Sequence, residues 1–321
     1  MKATDPLPAA VERVLDRGSF CHVATATRHG PHVTPMVYAL TAGRLWVTTS
    51  RGSVKARAWR HDDRVAGLVR DGDRAVTFTG RVRTFDVLDS DTWVRALRES
   101  PALALASARF TRKNARFFAG YAVDARRVPL AWTPPGRVFA ELSVERIALV
   151  GDGDVVEEWG EWPRAVVSRE RFRAARAGED PLGGLPTDVR GSLGPNGRGV
   201  LGIEGGAGMV VLPAAWAVHG SGLYAALPER VFAIADPHEG VLRAALGIDR
   251  PSWWRASEMV GAMMRGLADV FAVDRLASGG RSAADVVRAT AADPLGASLV
   301  RISPRRVVWW RGWSSGTVMV A

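Results

Sequence analysis

Three segments of this chain recur, in the same order, roughly 160–180 residues further on. PMVYALTAGRLWVTT (35–49) parallels PAAWAVHGSGLYAAL (213–227). RAVTFTGRVRTF (74–85) parallels SEMVGAMMRGLADVF (257–271). FAELSVERIALVGDG (139–153) parallels SLVRISPRRVVWWRG (298–312). Identity is low, but apolar alternation and turn residues repeat together. A spacing this long means duplicated domains and not a solenoid, whose period is about 20–50 residues. A length of 321 residues suits two domains.

Both copies are written in period two. SFCHVATAT, the turn RHGP and HVTPMVYAL predict a hairpin; TAGR is a second turn and LWVTT a third strand. DRVAGLVR and RAVTFTGRVRTF add two strands, and RVFAELSVERIALVGD reads as a late strand pair. An opening helix is expected from Pro8, the apolar face of Val11, Val14 and Leu15, and a stop at Gly18. Residues 89–118 read as helical with a break at Pro101. In the second copy RGVLGIE, MVVLPAAWAV and LYAAL are strands. ERVFAIADPHEGVLRAAL is helix-like, and ASEMVGAMMRGLADVFAV is a long strand. Short strands, few helices and Gly-rich turns point to barrels. Pro35 and Pro213 hold matching places inside strands, where proline implies a bulge or an unpaired edge. The expected division is a first domain over 1–150, a connector over 151–198 with a charged helical stretch at 168–180, and a second, diverged domain over 199–321.

Charge separates the copies. Residues 1–150 carry 24 Lys and Arg against 14 Asp and Glu, whereas residues 151–321 carry 19 of each. The whole excess of +10 lies in the first half, which suits either an anionic ligand or a solvated basic surface. No apolar run reaches the ~18–20 residues of a membrane span. The N-terminus has no apolar signal core, so a cytoplasmic protein with no membrane partner is expected. The lone Cys21 reads as a core residue. The six His show no metal spacing, and no metal site is expected. Most of the twelve Trp, including the pairs Trp253–Trp254 and Trp309–Trp310, read as packing. The stretch RFTRKNAR (109–116) reads as the solvated face of an amphipathic helix, with no nucleic-acid partner expected.

The segment richest in chemistry is TTSRGSVK (48–55). It leaves a strand, turns at Gly52 and starts a helix at Ser53. Free backbone N–H groups, the hydroxyls of Thr48, Thr49 and Ser53, and the cations Arg51 and Lys55 suit a phosphate. A plainly capped helix with solvated basic residues has the same pattern.

A hairpin, a strand ending in Thr and a Gly-Ser-x-Lys helix start resemble the pyridoxamine 5′-phosphate oxidase-like family, the FMN-binding split barrels, and their deazaflavin-binding actinobacterial relatives. The family's phosphate segment ends in Gly-Ser-Arg-Lys. Here Gly52, Ser53 and Lys55 match and Val54 departs. The resemblance implies that Pro35, Met36 and Val37 meet the flavin ring. It puts Ala75 where the oxidases have a Gln, with Arg74 or Thr77 as a substitute. It makes Trp310, in VVWWRG, the aromatic that a partner barrel contributes. The matching place in the first copy is Leu149, and Ala233 stands opposite Lys55.

The resemblance therefore implies a mainly β fold of two tandem split β-barrels with peripheral helices, an intramolecular pseudo-dimer with one intact cofactor site. The expected function is an FMN-binding oxidoreductase. Its cofactor residues are Pro35, Met36, Val37, Thr48, Thr49, Arg51, Ser53, Lys55, Arg74 and Trp310, and its partner is a small-molecule substrate or electron donor. No acid or base is singled out. A deazaflavin-dependent reductase and a non-catalytic flavin or haem carrier or sensor are the alternatives.

Overall fold

The computed structural model describes residues 6–86, 88–124, 126, 136–163, 180–219, 222–236, 242–252, 255–272 and 297–320. The first sheet holds β1 (Phe20–Thr25), β2 (His32–Thr41), β3 (Arg44–Ser50), β4 (Arg64–Asp71), β5 (Arg74–Phe85), β6 (Arg137–Gly151) and β7 (Asp154–Trp159). The second holds β8 (Asn196–Gly205), β9 (Gly208–His219), β10 (Gly222–Pro228), β11 (Leu242–Arg250), β12 (Val260–Ala272), β13 (Ala297–Arg311) and β14 (Ser314–Met319). Strand order is β3-β2-β1-β4-β5-β6-β7 in one and β10-β9-β8-β11-β12-β13-β14 in the other. Pairing of β3 with β6, and of β10 with β13, closes six strands of each sheet into a barrel. The fold is mainly β, two six-stranded barrels with peripheral helices.

The copies agree in detail. The β5–β6 register shifts between Thr79 and Gly80, and the β12–β13 register between Arg265 and Gly266. A Cβ on Gly80 would lie 2.0 Å from the Ser143 carbonyl oxygen, and one on Gly266 1.9 Å from that of Ser303. Both prolines sit where a barrel opens. β2 pairs with β3 only over Tyr38–Thr41, and β9 with β10 only from Ala215 onward, so neither Pro35 nor Pro213 owes a hydrogen bond on that side.

Helices α2 (Val54–Trp59) and α7 (Glu229–Ala233) follow the third strand of each copy. Helix α1 (Ala9–Arg17) buries Val11, Val14 and Leu15 in the first barrel's end. Its stop, Gly18, has φ −57°, so left-handed backbone is not the reason for glycine. Space is: a Cβ there would lie 2.3 Å from Val69 Cγ1. After a 3-10 turn (Ser90–Thr92) come α3 (Trp93–Arg98), α4 (Ser100–Lys113) and α5 (Ala115–Val123). Pro101 lies in the first turn of α4, where its missing N–H costs nothing. Helix α6 (Thr187–Leu193) falls in the Gly/Pro-rich run before β8.

Two sequence expectations differ from the structure. The late strand pair is one 15-residue strand, β6, long enough to pair with β5 throughout and still close the barrel on β3. The helix-like stretch from Glu229 holds only the five residues of α7 and then becomes β11, because LRAALGIDR pairs with β8 and β12 on both edges. β7 pairs with β6 past residue 150, within the span read as connector. The charged stretch at 168–179 and the Trp253–Trp254 pair lie outside the described residues.

The barrels pack through a pseudo-two-fold junction. β2 lies on β11 and β12, and its counterpart β9 lies on β4 and β5. Val33 fills space that a side chain at Gly202 would take, and its N–H donates to Met263 Sδ at 3.2 Å. Thr77 Oγ1 donates to the Val211 carbonyl at 2.6 Å. No described helix is long and apolar enough to cross a membrane.

Candidate functional site

Strand β3 hands the chain to α2 through Arg51 and Gly52, and Ser53 caps the helix. Ser53 Oγ accepts the Ala56 N–H at 3.0 Å and the Thr49 hydroxyl at 3.0 Å. Ser53→Ala removes both bonds and is expected to cost about 1 kcal/mol. Thermal unfolding of that variant checks it, and an unchanged midpoint would show the cap to be idle.

The cap aims Lys55 inward. Its side chain is buried, with Nζ donating to Thr34 Oγ1 at 2.5 Å. Burial, and then the positive charge of Arg137, pulls its pKa down to about 8. An ammonium has three donors, and among the described residues this one has a single acceptor and no carboxylate.

His32 lies two residues before Thr34 on the same face of β2 and is buried. Burial first, then Lys55, Arg265 and Arg306, pushes its pKa down to about 3, so the ring is neutral near pH 7. Arg265 reaches in from β12 of the second barrel, 4% exposed. Its Nη1 donates to Thr27 Oγ1 at 2.9 Å, across the junction, and its Nε is buried without a partner. Lys55 and Arg265 thus approach one region from opposite barrels, each without a carboxylate among the described residues. A buried cation lacking a counter-charge is costly. Both would be offset by a bound anion.

The repeat supplies an internal control. Pairing of His22 with Pro35 and of Val200 with Pro213 sets the equivalence of β2 and β9; the two bulges set that of the later strands. At the second, equivalent place His32 becomes Val210, Thr34 becomes Leu212 and Arg265 becomes Thr79. Val210 and Leu212 are fully buried in an apolar cluster with Leu227 and Val231. One place is polar and cationic; its twin is packed with hydrocarbon on the Val210–Leu212 side, and the guanidinium it keeps, Arg146, is used on Thr79 Oγ1 at 2.8 Å and on the Ala207 carbonyl at 2.7 Å.

The other sequence candidates are distributed as follows. Arg51 Nη2 lies 2.5 Å from Asp86 Oδ1, in an ion pair at the edge of the region. Thr48 Oγ1 and its carbonyl both accept from Arg137, at 2.9 Å each. Met36 belongs to the first barrel's core, whereas Val37, on the other face of β2, lines a cleft with Arg112 and Phe117. Pro35 is half-buried at the barrel opening. Arg74 begins β5 beside Gly151, at the apolar twin and away from Lys55. Trp310 pairs with Gly261 on β12; a Cβ at Gly261 would lie 2.2 Å from its ring. It stands four residues along β12 from Arg265, roughly 13 Å. The bulge register makes Val150, not Leu149, its counterpart. Sequence reading missed His32, Thr34 and Arg265. The one available signal was a cation interrupting the apolar run VGAMMRGL.

Residues 8–127, which contain Thr34, the Ser53 cap and Lys55, match the pyridoxamine 5′-phosphate oxidase family. The match spans 120 of the 321 residues, and over that span the chain is similar to that family. The match covers β1 to β5 and the helices after them, and ends before β6. No curated protein matches the chain. Among solved structures, General Stress Protein 26 from Bacillus anthracis is 14% identical, covering 44% of this chain and 90% of its own, with a TM-score of 0.29. A pyridoxamine 5′-phosphate oxidase-related, FMN binding protein from Nostoc punctiforme is 16% identical over 46% of this chain and 84% of its own, TM-score 0.34. A structure described as an F420 Reductase is 20% identical over 44% and 98%, TM-score 0.30. Each spans under half of this chain. Among the described residues no His, Cys, Asp and Glu cluster could hold a metal.

Proposed function

We propose that this chain, whose residues 8–127 match the pyridoxamine 5′-phosphate oxidase family, binds FMN between its barrels and acts as an oxidoreductase. The observation that carries the reading is Lys55, a buried ammonium that has, among the described residues, one hydroxyl acceptor and no counter-ion, facing Arg265 of the other barrel. The donor set suits a phosphate: two cations, the hydroxyl of Ser53 beside them, and a neutral His32 that adds no further charge. The roughly 13 Å from Arg265 to Trp310 along β12 suits an elongated ligand with an aromatic end. Bound FMN would supply hydride transfer. The chain's own residues supply position: Lys55 and Arg265 neutralise the phosphate, Ser53 and Thr34 orient it, and the apolar junction excludes water. Pro35 stands at the barrel opening, Thr48, Thr49 and Arg51 support the phosphate region from where they stand, and Arg74 and Val37 lie away from it.

Titration of the purified chain with FMN, and separately with the deazaflavin, tests the reading by absorbance and fluorescence. Saturable binding of FMN supports it. Preference for the deazaflavin moves the assignment to a deazaflavin-dependent reductase. Binding of neither would overturn it. Binding without reduction by any nicotinamide donor would leave a flavin carrier.

A further inference from the structure

A second cleft, of about 260 Å³, lies between the barrels at the opposite end of β1 from Lys55. Ser19, His22 and Arg70 line it from the first barrel, and Val200 and Asp249 from the second. The register makes His22 equivalent to Val200 and Arg70 equivalent to Asp249, since His22 pairs with Leu68 and Val200 with Gly247. The cleft is therefore lined from both sides of the pseudo-two-fold axis. Two identical barrels would set like against like there. Divergence has set a cation against an anion and an imidazole against a methyl pair.

The polar groups are incompletely used. Arg70 Nη2 donates to the Gly199 carbonyl at 2.5 Å, and a guanidinium has five donors. Asp249 lies outside ion-pair distance of Arg70 and instead takes His22 Nε2 at 2.7 Å. His22 Nδ1 and Asp249 Oδ2 are buried without partners; with Nε2–H given to Asp249, Nδ1 of the uncharged ring and Oδ2 are both acceptors, so Arg70 and Ser19, and not this pair, supply the donors for an anion. No partner is present for the Ser19 hydroxyl among the described residues. Burial outweighs the pull of Asp249 and brings Arg70 down to about 10, a cation held at a cost.

We infer that this cleft binds a small oxyanion, a carboxylate or a phosphate, gripped by Arg70 with Ser19 beside it and the His22–Asp249 pair as the far wall. A water's share of liquid volume is about 30 Å³, so the cleft has ample room for a ligand of several heavy atoms. Arg70 presents the flat fork that fits two oxygens of one anion. The inference does not rest on the flavin reading, because none of these residues borders Lys55.

Calorimetric titration of the full chain with sodium acetate, and separately with sodium phosphate, tests it against sodium chloride at equal ionic strength. Saturable binding of acetate, phosphate or both that depends on Arg70 and not on Lys55 supports the site and names the source. Arg70→Gln weakens that binding about tenfold or more, while Lys55→Ala leaves it unchanged. Binding that is lost in Lys55→Ala and kept in Arg70→Gln places the anion at the other region and overturns the inference. So does the absence of saturable binding above the chloride control. Should Arg70→Gln not fold, Arg70→Lys keeps the charge and loses the fork; unchanged affinity there overturns the assignment equally.

Discussion

Replacing Lys55 with methionine lowers the affinity for FMN by about 100-fold while raising the stability of the ligand-free chain. The first effect follows from removing a charge-assisted grip on a phosphate, about 2–3 kcal/mol. The second follows from burial. Methionine keeps most of the stem's packing and removes an ammonium that has, among the described residues, only the Thr34 hydroxyl for a partner. The folded pKa of Lys55 is about 8, against an ordinary 10.5. Below pH 8 both states hold the proton, and the full penalty, on the order of 3 kcal/mol, is present. Between pH 8 and 10.5 the unfolded chain holds the proton more tightly than the folded one, so stability rises with pH. Lys55→Met loses that part of the rise. Lys113, also brought down to about 8, keeps its own. Urea unfolding at pH 7 and 10, with FMN titration at pH 7, checks both effects. A variant that binds FMN as before would detach Lys55 from the site; one that loses stability would make it a structural residue.

Gly80→Ala and Gly266→Ala each destabilise by about 3 kcal/mol or more, and by similar amounts. In both, the new methyl would lie within 2.0 Å of a backbone carbonyl oxygen on the partner strand, that of Ser143 or Ser303. A backbone atom cannot rotate away as a side chain can, so relief means spreading the β5–β6 or β12–β13 pair at its bulge. Those pairs are the long walls of the two barrels, and β6 and β13 also close them. At about 2–4 °C per kcal/mol for units of this size, each unfolding midpoint falls by roughly 6–12 °C. A loss under about 1 kcal/mol in either would mean that its bulge yields freely. A large loss in one alone would mean that the two bulges are not equivalent.

Much of this architecture is legible in the residues because it is written locally. Alternation, turn glycines and the prolines at 35 and 213 are short-range signals, and their recurrence doubles them. The Ser53 cap and the inward Lys55 belong to one helix start, so a single window shows them. The rest of the site is not local. Arg265 meets Thr27 across 238 residues, and nothing near either predicts the meeting. Arg51 shows the reverse problem. Beside Lys55 in sequence it reads as a second phosphate cation, yet Asp86, at the far end of β5, takes it. The resemblance groups Arg74 with the site, but β5 of the first barrel borders the apolar twin, and β12 of the second borders Lys55. Which barrel supplies which wall is a property of the junction. The helix-like reading of residues 229–246 failed for a related reason: two neighbouring strands decide the state of Leu242–Arg250, overriding its propensity.

Both barrels lie on one polypeptide, and the junction between them carries the candidate site. Their association is consequently insensitive to dilution. Two separate chains would part at low protein level, and their shared site would vanish with them. Here each barrel sees the other at a fixed effective concentration set by the tether. Occupancy of the junction then depends on ligand alone, which holds the site intact even where few copies of the protein are present.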